Sequence, residues 1–395
     1  MRVEMLLIYL ITFLVFLETH GLAPLMAPYA RALGAPVHLI GWIVGLYSVA
    51  NLVGNLGGGW WTDRVGRKLP LVIGLTAVAA ALLTYPLLRE PRSMLAVRFL
   101  HGMGSALVTP AALAYLGDTS LSTSRGRTMA LYGVAYGMSG LIGPPLAGWL
   151  RDRAGYAAVF LGLSALMLTV ALVAGVKIRG RGVSSPEHPT SRVPWRSLLR
   201  FGLSVSFLAA FCWMFMMGTL LVFLPLIGEE RGFTAARIGM LFGGFALAAT
   251  LVQASPLGRL SDRWGRLPLI ALGLALITVA LLALSVSHRW GQMMGGMALY
   301  GLGFGFLFPA KSALLVDETT PLTRGKASGI FMAMISLGMI AGSGMAGLMD
   351  QWYRTVGIHT FQFAAMVVSL GLLWTVAGGL MVRRLRSARM NRNTP

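Results

Sequence analysis

The sequence predicts an all-α membrane protein of about twelve transmembrane helices in two similar halves, and three observations carry that prediction. Hydrophobic residues make up 56% of the chain and charged residues only 12%, about half the charged share of a soluble domain. Apolar stretches of about 20 residues, long enough to cross a hydrocarbon core as helix, follow one another along the chain. The hairpin Gly59-Trp60-Trp61-Thr62-Asp63-Arg64-Val65-Gly66-Arg67 also returns as Gly258-Arg259-Leu260-Ser261-Asp262-Arg263-Trp264-Gly265-Arg266, 199 positions later in 395 residues.

In order, the first half is expected to cross the membrane at roughly 5–31, 38–58, 69–89, 93–116, 128–150 and 156–176. The second half crosses at roughly 201–227, 238–257, 268–288, 291–316, 328–349 and 359–382. The shift that relates the hairpins carries Gly102 and Gly104 onto Gly301 and Gly303, Pro110 onto Pro309, and Asp118 onto Asp317. It also carries Arg125-Gly126 onto Arg324-Gly325, and Gly143 and Gly148 onto Gly342 and Gly347. The predicted organisation is a bundle over 1–176, a linker over 177–200, a second bundle over 201–382 and a basic tail over 383–395. The linker has the proline, serine and charge content of a loop.

The net charge of +20 would point to nucleic acid in a soluble protein. Its distribution points elsewhere. With the N-terminus inside, 22 Lys and Arg fall on that side and nine on the other, while Arg98 and Lys311 fall within spans. This asymmetry predicts both termini in the cytoplasm and the chain in the cytoplasmic membrane, with lipid rather than nucleic acid as its surroundings. The one cysteine, Cys212, rules out an internal disulfide or a thiolate metal site. The first span carries Glu18 and His20 and lacks a small-residue cleavage site, so it is read as a retained helix. No phosphate-cradling loop and no His/Asp/Glu cluster at metal-ligand spacing is present. A cofactor, a metal and an enzymatic activity are therefore not expected.

The duplicated G-x-x-x-D-R-x-G-R hairpin resembles the loop between the second and third helices of major facilitator superfamily transporters. Its recurrence half a chain later resembles their two six-helix halves, related by a pseudo-twofold axis. That resemblance implies a secondary transporter, a monomer, working by alternating access around a site between the halves. It further implies that Asp63, Arg64, Gly66, Arg67 and Asp118 form a cytoplasmic gate latched in the outward-open state. Asp262, Arg263, Gly265, Arg266 and Asp317 would be the mirror copy. Gly66 and Gly265 suit a sharp turn at positive φ.

Interior prolines free backbone carbonyls and bend helices. Pro24 and Pro28 lie in the first predicted span, Pro110 in the fourth, Pro144-Pro145 in the fifth, Pro225 in the seventh and Pro309 in the tenth. In the resembling family the first, fourth, seventh and tenth helices line the cavity, so these bends are expected either to serve gating or to be static packing kinks.

Arg98-Phe99-Leu100-His101-Gly102-Met103-Gly104 in the fourth span matches the R-x-x-x-G-x-G pattern of the family's proton-coupled drug exporters. Arg98 and His101 are three residues apart and share a helix face. Glu18 is the one carboxylate well inside a span. Burial disfavours its charged form and a neighbouring cation favours it, so it can trade a proton for substrate. A static ion pair with Arg98 is the other reading. His20 and His101 are candidates for coupling or hydrogen-bonded structural histidines. Lys311, about one turn from the cytoplasmic end of its span, is expected either to snorkel or to meet substrate. Ala130, Ser139, Gly143, Pro144, Ala147 and Gly148 have the spacing of the family's antiporter motif, with three of its glycines replaced by Ala or Ser. Small residues there also permit close helix packing. The 23 methionines suit a promiscuous apolar surface or ordinary packing.

These readings converge on proton-coupled efflux of an apolar or amphipathic small molecule. The alternative is an importer or facilitator of an anionic metabolite held by Arg98. A non-transporting membrane sensor is a third class, for which no signalling domain is evident.

Overall fold

A chain crossing hydrocarbon finds no water for its backbone N–H and C=O groups, and a helix pairs them within one segment. The computed structural model describes residues 3–119, 125–178, 200–255, 263–356 and 360–392, and those residues form helices and turns with no strand. Among the described residues, eleven helices are long and apolar enough to cross a membrane. One of them, Leu131–Lys177, has 47 residues, more than twice what one crossing needs. It breaks at Gly155, where φ is 78° and ψ is 178°, so its two arms make two crossings. Twelve spans result, as predicted.

Spans 1 to 4 are Val3–Ala32, Val37–Val65, Lys68–Thr84 and Ser93–Thr119, with a 3-10 turn at Tyr85–Leu87 after the third. Spans 5 and 6 are the arms of Arg125–Lys177 on either side of Gly155. Spans 7 to 12 are Phe201–Glu230, Ala235–Ala254, Arg266–Val286, Trp290–Asp317, Pro321–Val356 and Thr360–Arg392. Span 2 runs past its predicted end at 58 to Val65, because hydropathy registers only the apolar part of a helix that projects beyond the hydrocarbon. The interior prolines Pro24, Pro28, Pro110, Pro144, Pro145, Pro225 and Pro309 all sit inside continuous helices.

The repeat in the sequence is a repeat in packing. Gly74 of span 3 lies against the Gly104 carbonyl of span 4, and Gly273 of span 9 lies against the Gly303 carbonyl of span 10. Gly102 packs on the span 2 backbone at Tyr47, as Gly301 packs on span 8 at Phe245. Gly66 and Gly265, which end and begin helices at the two hairpins, have φ of 88° and 89°. Spans 1–6 and 7–12 thus form two six-helix bundles.

The bundles meet where spans 2 and 11, and spans 5 and 8, cross closely. Cβ atoms on Gly41 of span 2 and Gly148 of span 5 would overlap the carbonyls of Ser343 and Ala235. A Cβ on Gly239 of span 8 would overlap the Pro144 carbonyl. These contacts lie toward the far face, away from the face at which span 6 ends and span 7 begins. That second face is the linker face.

Candidate functional site

Glu18 is buried inside the first bundle, 1% exposed. Span 1 brings it to its depth, and span 4, running the other way, brings His101 to meet it. His101 Nε2 lies 3.1 Å from Glu18 Oε1, close enough for an ion pair but without the alignment of a hydrogen bond. The other carboxylate oxygen accepts from the Thr19 hydroxyl at 3.1 Å. The Tyr85 hydroxyl is 3.3 Å from His101 Nδ1, and a proton donated there leaves the imidazole hydrogen on Nε2, facing the carboxylate. Tyr47 closes the group edge-on to His101, with ring centroids 5.4 Å apart.

The alternative expectation, a Glu18–Arg98 pair, is overturned. Arg98 Nε donates to the Ile43 carbonyl at 3.3 Å, and its guanidinium lies 4.6 Å from the centre of the Tyr47 ring. Among the described residues no carboxylate lies within ion-pair distance of it. Arg98 precedes His101 by three residues, about 4.5 Å nearer the far face, and so passes Glu18.

His20 faces another way. Its Nδ1 is 2.9 Å from Ser139 Oγ, and that hydroxyl donates to the Tyr136 carbonyl at 2.6 Å. A hydroxyl has one proton, so Ser139 accepts from His20 Nδ1–H. Ser139 is one of the residues by which the fifth span departs from the antiporter pattern, and here the departure supplies a partner. Its neighbours Gly143 and Gly148 keep the close approach expected of them: Gly143 lies against Leu17 and Gly21 of span 1, and Gly148 against Ala235. The side chain of Ala130 lies outside the described residues. Toward the linker face from Glu18, a recess between spans 1, 4 and 5 is lined by Thr12, Phe16, Thr109 and Tyr132.

Lys311 does not snorkel. Its side chain is 0% exposed, and Nζ sits 4.6, 4.9 and 4.5 Å from the ring centres of Trp213, Phe308 and Phe331. Trp213 of span 7 and Phe331 of span 11 close over Lys311 near the end of span 10.

At the linker face, Arg67 Nε and Asp118 Oδ2 are 3.0 Å apart, and so are Arg266 Nε and Asp317 Oδ2. Each pair lies within its own bundle. Arg64 and Arg263 are exposed. The Asp63 side chain and Asp262 lie outside the described residues, as do the linker over 179–199 and the end of the tail.

Sequence reasoning missed the far-face seal. Arg31 pairs with Glu230 at 2.8 Å and Arg151 with Glu229 at 2.7 Å, both across the bundles. Asp152 accepts from the backbone N–H groups of Ala235 and Ala236 at 2.9 and 2.8 Å, capping span 8 from the other bundle. One signal was available, because Arg31 and Glu230 are equivalent positions of the repeat carrying opposite charge. Also missed was Asn55, exposed on span 2 and donating to Asn51 Oδ1 at 2.7 Å. Exposed amides within a span suit a watered cleft better than lipid.

Two repeat-related six-helix bundles, sealed against each other at one face and enclosing ionisable groups in apolar surroundings, define a membrane transporter. The chain belongs to the Major Facilitator Superfamily, whose profile matches residues 8–253 and 206–393. It is 26% identical over 373 residues to multidrug resistance protein 2 of Bacillus subtilis (strain 168), covering 91% of each chain. It is 21% identical over 359 residues to multidrug resistance protein 1 of the same organism, covering 89% of this chain and 91% of that one. Its fold matches a bacterial homologue of the human lysosomal transporter Spinster, in an inward-facing and unoccupied conformation. There the TM-score is 0.75 at 15% identity, over 95% of this chain and 94% of the other. The protein is a multi-pass membrane transporter of small molecules.

Proposed function

We propose that this transporter exports apolar or amphipathic small molecules from the cytoplasm by alternating access, driven by protons entering through the Glu18–His101 pair. The observation that carries the proposal is a buried carboxylate facing a buried imidazole at 3.1 Å. In apolar surroundings such a carboxyl is held ionised against an imidazolium, or made neutral by a proton. Either change alters what spans 1 and 4 contribute to each other, and Pro24 and Pro110 lie on those two spans. The multidrug resistance relatives support export.

The basic linker face is taken as cytoplasmic, since Lys and Arg are retained on that side, which puts both termini inside. The far-face seal then fits an inward-facing arrangement. In the opposite state Asp63, Arg67 and Asp118, with Asp262, Arg266 and Asp317 as their counterparts, would hold the linker face shut. An anion held by Arg98 would first have to displace the Ile43 carbonyl and the Tyr47 ring, which weighs against the importer reading.

Everted vesicles with a pH gradient test the proposal. Glu18→Gln should abolish proton-driven uptake of a lipophilic drug while leaving gradient-free binding intact, and His101→Gln should slow it at least tenfold. Undiminished proton-driven uptake by Glu18→Gln removes this pair from the mechanism.

A further inference from the structure

The second bundle carries its own buried polar group, which the proton pathway does not use. Lys311 Nζ is enclosed by Trp213, Phe308 and Phe331, and it has no hydrogen-bond partner among the described residues. Trp213 Nε1, on the very ring against which Nζ rests, is buried and without a partner too. Buried polar atoms are nearly always paired, so two adjacent orphans need one explanation.

A buried amine alone would need none beyond losing its proton. An indole N–H has no such option, because it is a donor in every state it adopts here. What both groups lack is the same thing, an acceptor. Three rings around an ammonium stabilise it, yet they offer no lone pair for its three N–H bonds.

The surroundings describe the rest of a ligand. Trp213 stacks on Phe304 with centroids 4.7 Å apart, and Phe304 meets Phe245 at 5.5 Å and Phe308 at 5.3 Å. Flat rings from spans 7, 8 and 10 thus continue from the Lys311 end toward Tyr300, whose hydroxyl is a third buried orphan. Phe308 is 38% exposed, whereas Phe331 is 6% exposed. Phe308 therefore forms the open side of the enclosure, and it precedes Pro309, where the helix lacks a backbone hydrogen bond.

We infer that Lys311 and Trp213 form an anchoring site for the carboxylate or phenolate of an aromatic, amphipathic anion, whose ring lies along Trp213 and Phe304. The inference rests on the transport reading and narrows its cargo: the first bundle holds the proton, and the second holds the acidic end of the substrate. No covalent step is involved.

The test compares 1-naphthoate with the uncharged 1-naphthamide, binding to the purified full chain in lipid nanodiscs without any gradient. The wild type should prefer the acid at least tenfold. Lys311→Met should erase that preference, Lys311→Arg should keep part of it, and Trp213→Phe should cut it severalfold. Glu18→Gln should retain the preference while losing proton-driven uptake. Equal binding of acid and amide by the wild type, or binding of neither, overturns the site, as does an undiminished preference in Lys311→Met. If Lys311→Met fails to fold, Trp213→Phe decides, since it keeps a ring and deletes the N–H; full preference there overturns the shared anchor. Preserved acid preference alongside absent proton-driven movement would sink the proton-coupled reading and leave the site standing.

Discussion

Arg31 and Glu230 stand 2.8 Å apart and 199 residues apart, the interval that separates every copy of the repeat. Each is the other's counterpart, so their ion pair straddles the pseudo-twofold axis at the far face. A symmetric interface places equivalent positions against each other, and duplicated halves that diverge in charge convert that meeting into an attraction.

The first prediction concerns that pair. Because the two positions are equivalent, exchanging the residues should preserve the contact. Arg31→Glu alone should shift the population toward an open far face, and adding Glu230→Arg should restore the seal. The side chains are 33% and 60% exposed, so the single change is worth about 0–1 kcal/mol, up to about a fivefold population shift. Spin-label distances across the far face measure it. Native Cys212 is buried and should stay unlabelled. An exchanged pair that remains as open as Arg31→Glu refutes the dyad contact.

The second prediction concerns the glycines between spans 5 and 8. A methyl group on Gly148 or Gly239 has nowhere to go, since each faces a carbonyl of the opposite bundle. Gly148→Ala should hold the far face apart and reduce turnover at least tenfold with the fold intact. Gly175→Ala, at a position with open space around it, should transport normally. Normal far-face closure in Gly148→Ala would contradict the close crossing.

His20 and Ser139 give the third. Removing the hydroxyl with Ser139→Ala deletes two hydrogen bonds, one to the Tyr136 carbonyl and one to His20, and the His20 bond is worth about 1 kcal/mol. A double-mutant cycle with His20→Phe, read by thermal unfolding in detergent, should return most of that as coupling. Strictly additive effects would mean that the 2.9 Å contact contributes nothing.

The fourth contrasts the two hairpins. Arg67–Asp118 and Arg266–Asp317 share one geometry, and exposed pairs of this kind contribute about 0.2–1 kcal/mol. Arg67 is the more buried of the two arginines, 13% against 26%. Its cycle should therefore show the larger coupling. The reverse order would show that burial does not rank these two sites.

Much of this was legible along the chain. Glu18 is the one acid in the middle of an apolar span, and the turn glycines Gly66 and Gly265 take the positive φ their position called for. The repeat announced that Gly104 and Gly303 would do the same work, and both lie against the glycine of the adjacent span. Less legible was what each polar side chain would touch. Arg98 and His101 share a face of span 4, and three residues of helical rise decided which of them met Glu18. Lys311 looked near enough to an interface to reach water, until spans 7 and 11 closed over it.

The sequence by itself determined the number of crossings, the duplication and the places where ionisable groups enter the apolar layer. Those properties follow from chain length, hydropathy and spacing, which are all measured along one dimension. Only the tertiary structure decided the partners: His101 for Glu18, Ser139 for His20, three aromatic rings for Lys311, and Glu230 for Arg31. A partner is set by how separate helices cross in space, and side chains from distant parts of the chain compete for one contact on the scale of a single helical turn.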